Sequence, residues 1–227
     1  MSGKGLVLAS ALAAVFSGAA AADVIINEIM FNPSTALGDD TAFEWVEIHN
    51  NGSSSVDISG WTMTDLDTGS GAIFPAGTSI PAGGYRVLAR DAASFVGHYG
   101  GSVPLIDWTG SWGSGLSNTE DEVLLLDASS AVVDSLMYDD TTAWGSDYGD
   151  DNTYADCDGD GASLERLDPA DPSTDPGNWD SSIDEASGIP DANWSGHDES
   201  HGTPGAVNSI SIISLESQTW AGIKTDL

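Results

Sequence analysis

Apolar and polar side chains alternate with a period of two residues along much of the chain. The pattern is clearest in residues 43–52 (FEWVEIHNNG), where Val46 and Ile48 point to the opposite side from Glu47. Such alternation is typical of a β-strand with one face in a core and the other in water. A turn-rich spacer follows, and Trp61 then begins a second run directly after a glycine. These two runs predict neighbouring strands, with the Trp61 indole turned into the core.

Further short runs of the same kind are separated by Gly, Pro, Asn, Asp and Ser. They lie at residues 23–31, 72–74, 78–80, 85–90, 122–127, 131–138 and 162–167. Two of them are joined by a turn at residues 128–130, which predicts a hairpin. One helical turn is predicted at residues 91–98, with Asp91 as its N-cap. Seven or eight short strands without a sustained helical period predict an all-β sandwich.

The first of these runs, residues 23–31 (DVIINEIMF), has apolar residues on both faces and is predicted to be an inner strand. Strict alternation gives the two faces as Ile25, Asn27, Ile29 and Phe31 against Val24, Ile26, Glu28 and Met30. A carboxyl on an inner strand requires a hydrogen-bond partner, so we expect Glu28 to have one.

The first 22 residues have the composition of a secretory signal peptide. Lys4 provides the positive start, residues 6–16 are apolar, and residues 20–22 (AAA) suit a cleavage site. No cysteine follows that site, which excludes a lipid anchor there. We therefore expect an exported protein that begins near Asp23 and resides in the periplasm, at the cell surface or outside the cell.

Composition divides the rest of the chain into three parts. Residues 23–138 form the sandwich core, residues 139–208 are an irregular Asp- and Gly-rich extension, and residues 209–227 are a tail. The extension contains Trp179 and Trp194, so we expect it to pack on the core. The tail is too short and too polar to cross a bilayer, and it is either a frayed terminus or an attachment signal.

The formal net charge is -31, with only five Lys and Arg against 36 Asp and Glu. A field of that sign repels phosphate backbones and disfavours nucleic acid as a partner. Cys157 is the only cysteine, so the domain must fold without an internal disulfide. The acids on either side of Cys157 make its thiol a poor nucleophile.

Residues 156–161 (DCDGDG) place carboxylates at alternate positions with Gly at the sixth, like the start of a calcium loop. The candidate Ca²⁺ ligands are Asp156, Asp158 and Asp160, with Asp150 and Asp151 as additional ligands. An EF-hand would need Glu at the twelfth position, where Leu167 stands. The alternative is an acidic, turn-rich loop without a metal.

Other candidate sites have simpler explanations. His197 and His201 are four residues apart, a zinc spacing only within a helix, and their loop composition favours solvated histidines. A glycosidase pair could be drawn from Glu28, Glu44 and Glu47, but we expect these to form hydrogen bonds at strand edges. Four tryptophans could stack on a sugar ring, but tryptophans in such a segment more commonly cover the extension. They are Trp112, Trp144, Trp179 and Trp194.

Several motifs in order resemble the lamin-tail domain family. They are NEI at 27–29, EWVEI at 44–48 with Asn50, DISGW at 57–61, IFP at 73–75, IPAG at 80–83, LSN at 116–118, DEV at 121–123, GASLER at 161–166 and GTPGAVN at 202–208. The resemblance implies an immunoglobulin-like β-sandwich, used in bacteria as an exported module, with no catalytic residue set. We expect five residues to hold this sandwich together: Trp45, Trp61, Trp108, Glu47 and Asn50.

The sequence therefore predicts a secreted, non-catalytic module for protein interaction, adhesion or surface assembly. Its partner would be an extracellular or surface protein or a glycan, with no nucleic acid and no membrane span. The first alternative is a calcium- or carbohydrate-dependent extracellular binding protein. The second is an extracellular hydrolase, for which the chain offers no nucleophile elbow, P-loop or dinucleotide motif.

Overall fold

A computed structural model of the chain describes residues 24–34, 37–38, 40–65, 71–113, 115–139, 157, 161–182 and 202–208. The strands are β1 (Val24–Met30), β2 (Trp45–Asn50), β3 (Val56–Asp57), β4 (Thr62–Asp65), β5 (Gly71–Ile73), β6 (Ser79–Ile80), β7 (Tyr85–Ala89), β8 (Thr109–Gly110), β9 (Glu120–Leu126), β10 (Val132–Asp139), β11 (Leu164–Arg166) and β12 (Trp179–Ser181). The named connecting elements in the described residues are the α-helix α1 (Ala92–Tyr99) and 3-10 turns at Asp40–Phe43 and Pro176–Asn178. The predicted all-β class is confirmed.

Two five-stranded antiparallel sheets form the sandwich. Sheet 1 has the order β12-β11-β1-β2-β7, and sheet 2 has the order β10-β9-β4-β5-β8. The predicted hairpin is β9 and β10, while β3 and β6 form a separate two-stranded ribbon. Strand β11 lies within the run predicted at residues 162–167, whereas β12 falls in the part of the extension that composition described as irregular, and the two complete sheet 1 beside β1.

The main core lies between the two sheets. It takes Val46 and Ile48 from β2, as the alternation predicted, and Leu125 and Leu136 from the hairpin. Burying a side chain of this size stabilises the fold by roughly 1.5–3 kcal/mol. Among the described residues, no helix has the length and hydropathy that crossing a membrane requires.

Strict alternation was wrong for β1. The pairing of β1 with β2 shifts register between Ile26 and Glu28, and this bulge places Ile26 and Ile29 together in the main core. An extra residue in one strand switches the side on which later side chains emerge. The bulge also directs the Ile26 N–H to the Asp134 carboxylate on β10, at 2.8 Å.

The outer face of sheet 1 is also buried, contrary to the expectation that the polar side of β2 stays wet. Trp45 and Glu47 are both 0% exposed. Helix α1 begins with its predicted cap, where the Asp91 carboxylate accepts from Ser94 N at 2.8 Å. It covers a second apolar cluster on this face, which consists of Met30, Trp45, Val87, Ala89 and Phe95.

The other residues expected to hold the sandwich occupy its periphery. Trp61 is half-buried and packs against the main core instead of lying inside it. Trp108 is also half-buried, and its Nε1 donates to Ala89 O at 3.0 Å. The buried Asn50 amide donates to the carbonyls of Ser54, Ile80 and Pro81. Asn50 thus joins the loops that follow β2 and β6.

A row of buried glutamates as the candidate functional site

Three glutamates lie side by side on the outer face of sheet 1. In the register of the sheet, Glu28 on β1 is opposite Glu47 on β2 and opposite Glu165 on β11. All three residues are 0% exposed. Like charges directly opposite each other destabilise a sheet, so this glutamate row needs a compensating arrangement.

Residues 202–208 (GTPGAVN) run over the row and are called the strap here. Thr203 N donates to Glu28 Oε1 at 2.8 Å, and its hydroxyl donates to Glu165 Oε1 at 2.9 Å. Gly205 N donates to Glu47 Oε2. The strap therefore touches every carboxyl of the row.

Two glycines let the strap approach this closely. A Cβ at Gly202 would lie 2.7 Å from Glu28 Oε1 and 3.0 Å from Trp45 Cζ2. Gly205 has φ of +85°, a backbone conformation that L side chains rarely adopt. The spacing of glycines in GTPGAVN is thus explained by contact with the sheet and by backbone conformation.

An asparagine pair fastens the end of the strap. The Asn27 amide donates to Glu47 Oε1 at 2.9 Å and to Asn208 Oδ1 at 2.6 Å, which uses both of its hydrogens. The Asn208 amide donates to the carbonyls of Asn27 and Arg166, at 3.1 and 2.8 Å. At the middle of the row, Ser163 Oγ donates to Glu28 Oε1 at 2.6 Å.

Burial and mutual repulsion raise the pKa values of two carboxyls of this row. Burial is the largest influence on Glu47 and raises its pKa to about 8. The pKa of Glu28 is raised well above its usual value by burial, and then by the charges of Glu165 and Glu47. Hydrogen bonds from Ser163 and Thr203 to Glu28, and from Gly205 and Asn27 to Glu47, lower the two pKa values, but burial has the larger effect on both carboxyls.

Two tyrosines and a histidine near Glu28 and Glu47 carry no charge at neutral pH. Burial and the nearby Glu47 and Glu28 raise the pKa of Tyr85, and burial also raises the pKa of Tyr99. Burial lowers the pKa of His49, which stacks on Tyr85 with ring centroids 4.4 Å apart. None of these three groups neutralises the row.

The structure brings together only part of the predicted carboxylate set. Glu28 and Glu47 meet, while Glu44 lies elsewhere and accepts from Leu116 N at 2.9 Å. The predicted position at strand edges was wrong, because β1 is the central strand of sheet 1 and β2 is next to it. Glu165 completes the row, and the sequence alone gave no reason to select it.

The row is closed to substrates. Its carboxyls are covered by the strap, and a pocket of about 240 Å³ elsewhere is lined by none of the three glutamates. That pocket lies beside a buried ion pair in which Arg166 Nη1 is 2.9 Å from Asp134 Oδ2. Carboxyls arranged in this way can hold and share protons, but no water or glycosidic bond reaches them.

The remaining candidates divide into buried residues and residues outside the described part. Trp112 and Trp179 are each 3% exposed, which excludes them from stacking on a sugar and agrees with the commoner covering role. Cys157 is buried, and its Sγ contacts Ser163 O at 3.3 Å. The proposed calcium ligands and several other candidates lie outside the described residues: Asp150, Asp151, Asp156, Asp158, Asp160, His197, His201, Trp144 and Trp194.

The motifs at 27–29, 44–48, 161–166 and 202–208 all meet in this network. A model of the Lamin Tail Domain family matches residues 17–140, more than half of the 227 residues. The chain belongs to the lamin tail domain family. Lamin-tail domains are immunoglobulin-like, in agreement with the two packed sheets. Glu165 and the strap lie beyond the matched residues, so this lamin-tail protein closes its sandwich with an additional segment.

One solved structure similar to this lamin-tail chain is a DUF4876 family protein from Bacteroides thetaiotaomicron. It is 10% identical in sequence, and the similarity covers 71% of this chain and 68% of that one with a TM-score of 0.43. A search of curated proteins found no match.

Proposed function

We propose that this chain is an exported, non-catalytic lamin-tail module that acts in protein interaction, adhesion or surface assembly. Its immunoglobulin-like sandwich is a scaffold that presents surfaces and loops, and the family is not catalytic. The acidic composition suits a soluble module outside the cell.

One observation supports this proposal above the others. The carboxylates that would serve a hydrolase are buried, with Glu28 and Glu47 at 0% exposure and Glu44 at 4%. Each accepts hydrogen bonds from backbone or side-chain groups of the protein itself. Carboxylates that accept hydrogen bonds within the protein contribute to the stability of the fold and are not available to catalyse hydrolysis.

The proposal makes two separate claims, and each has its own experiment. Export is tested by fractionating the native culture, with a variant that lacks residues 1–22 as the control; a full-length chain retained in the cytoplasm contradicts it. Binding is tested by cross-linking intact cells and recovering the tagged full chain. If the tagged chain retains no surface protein or glycan above the background from cells without the tag, an interaction role is contradicted.

The spacing of the DCDGDG segment at residues 156–161 favours a second candidate, a calcium-dependent binding protein. Calcium that binds only the folded state raises the melting temperature. An increase in melting temperature with millimolar Ca²⁺, lost in Asp158→Asn, supports this candidate. Hydrolysis of an ester, phosphodiester or glycan by the purified chain contradicts both candidates.

A further inference from the structure

We propose that Asn51 is a site of spontaneous deamidation, and that a hydrogen bond from Gly52 N to the neighbouring Asn50 slows this reaction in the folded protein. The inference concerns a covalent modification and does not depend on the proposed function. Asn51 and Gly52 form the only Asn–Gly pair in the sequence, and they begin the loop that connects β2 to β3.

The reaction needs only the chain itself and water. The backbone nitrogen of Gly52 attacks the side-chain carbonyl carbon of Asn51, and the new N–C bond closes a succinimide ring. The Gly52 N–H proton is lost to a solvent base, while the side-chain nitrogen of Asn51 takes up a proton and leaves as ammonia. Water then opens the ring at either carbonyl, which gives aspartate or isoaspartate at position 51.

The Asn51 side chain is free to take part in this reaction. Asn51 is exposed, as are the three serines that follow Gly52 in the loop, residues 53–55. No hydrogen bond among the described residues engages the Asn51 amide. Gly52 has no Cβ, so its nitrogen can approach the Asn51 carbonyl carbon more closely than that of any other residue type.

The hydrogen bond to Asn50 protects the attacking nitrogen. Gly52 N donates to Asn50 Oδ1 at 3.0 Å, which is called the protecting hydrogen bond here. Attack requires that a solvent base first removes the Gly52 N–H proton, the same step that begins amide hydrogen exchange. A proton held in a hydrogen bond is protected from exchange until the bond opens. Deamidation therefore proceeds only in the fraction of molecules in which the protecting hydrogen bond is open.

Asn50 is held in the position that this protection requires. It is 0% exposed, and its amide donates to the carbonyls of Ser54, Ile80 and Pro81, at 2.8, 3.0 and 3.0 Å. Its backbone N–H and carbonyl also form hydrogen bonds with the turn that precedes β7, each at 2.9 Å. The oxygen that accepts from Gly52 N is thus fixed by the other bonds of the same residue.

Deamidation at this position changes both the charge and the backbone. Either product adds one negative charge to a chain whose formal net charge is -31. Isoaspartate also inserts a methylene group into the backbone, directly after the buried Asn50. The modified chain should therefore separate from the parent on anion exchange.

The test incubates the full chain at pH 7.5 and 37 °C and follows Asn51 by peptide mapping and mass spectrometry. A synthetic peptide of residues 46–56 gives the rate without a fold. The folded chain should react at least about tenfold more slowly than the peptide, and Asn51→Gln should not react, because its longer side chain forms a less favourable ring. A folded chain that reacts as fast as the peptide overturns the protection.

Two variants separate the protecting hydrogen bond from the general stability of the loop, with circular dichroism to show that both are folded. Asn50→Ala removes the acceptor and should accelerate the reaction at Asn51 by about tenfold. Ser55→Ala removes another bond of the same loop, from Ser55 Oγ to Ile80 O at 3.2 Å, and should leave the rate unchanged. Equal rates in the two variants overturn the role of Asn50, and no product at position 51 in any variant overturns the site.

If Asn50→Ala fails to fold, hydrogen exchange of the parent chain decides. Gly52 N–H should exchange more slowly than Ser53 N–H, for which the described residues provide no acceptor, once the intrinsic rates are corrected. The factor should equal the one by which folding slows deamidation, because both processes require the same opening. A Gly52 N–H that exchanges as fast as Ser53 N–H overturns the proposal.

Discussion

Asn50 and Asn51 are adjacent and chemically identical, yet the fold uses them differently. Asn50 is buried, and its amide reaches the carbonyls of Ser54, Ile80 and Pro81, while Asn51 is exposed. Sequence resemblance singled out Asn50 and not Asn51. It could not show which carbonyls would converge on the amide, because these belong to loops that meet only in the folded sandwich.

Asn50→Ala is expected to lower the free energy of unfolding by about 1–3 kcal/mol, since buried carbonyls lose their donor. Urea unfolding followed by tryptophan fluorescence measures the change. Asn51→Ala is the matched control and should stay within about 0.5 kcal/mol of the parent, as surface substitutions usually do. Equal losses in the two variants would show that the buried amide is unimportant.

Glu47 gives the stability of the whole protein a pH dependence of known sign. Because its pKa is raised to about 8, its contribution is fully present below about pH 4.5 and is lost as the pH rises to about 8. Glu47→Gln should flatten the dependence by up to about 1.4 kcal/mol per pH unit in this window. Urea midpoints from pH 5 to 8 measure the slope, and an unchanged slope contradicts the assignment.

At the level of elements, the bulge in β1 ties the two sheets together. It turns Ile26 N–H towards Asp134 of β10, whose carboxylate also pairs with Arg166 of β11 at 2.9 Å. Periodicity predicted β1 and β10 as strands, and both exist. It failed at the bulge because an extra residue in a strand leaves no mark in a pattern of apolar and polar side chains.

Asp134→Ala is expected to cost about 3–5 kcal/mol, because it leaves the buried Arg166 guanidinium without its counter-ion. Ser135→Ala, the next residue on β10 and only half-buried, is the control. Thermal and urea unfolding should both show the difference. An Asp134→Ala variant as stable as Ser135→Ala would mean that the ion pair does not stabilise the closed sandwich.

The side of sheet 1 formed by β11 and β12 is its least predictable part. The run at residues 162–167 predicted β11, but β12 has only three residues, too few for periodicity to separate it from a loop, and composition suggested an irregular extension there. Their place beside β1 is a long-range pairing, which depends on the whole fold rather than on local preference. For the same reason the sequence identified Glu28 and Glu47 but not the partner Glu165 that completes the row.

A chain that ends at residue 140 is expected to be insoluble or to bind a hydrophobic dye. It lacks β11 and β12, so the edge of β1 that pairs with β11 and the uncovered Glu28 would face water. A chain that ends at residue 208 keeps every described element and is the control. Size-exclusion chromatography and dye fluorescence compare the two. A soluble, dye-free chain of 140 residues would show that the sandwich closes without its extension.

For the molecule as a whole, the net negative charge opposes folding and the burial of apolar side chains favours it. A net charge of -31 opposes compaction, and the five cations are too few to balance it. Two apolar clusters overcome this repulsion, one between the sheets and one beneath α1. Composition revealed the charge, but the second cluster follows from helix packing that no strand pattern could indicate.

Salt should therefore stabilise this protein. Raising NaCl from 10 mM to 500 mM screens repulsion between exposed acids and is expected to raise the melting temperature by several degrees. The glutamate row is buried and little affected by screening, so the slope of stability against pH between 5 and 8 should persist in high salt. Calorimetry at both salt concentrations tests this, and a melting temperature that falls with salt contradicts it.

The hydrogen bonds between Asn27 and Asn208 join residues 181 positions apart. These hydrogen bonds cannot form until residue 208 has been synthesised, and contacts of such long range make folding slow. If the chain is exported as proposed, this delay keeps the sandwich incompletely folded, and so able to pass through a translocation channel, until residue 208 arrives. The residues that close the domain would then also time its folding to the far side of the membrane.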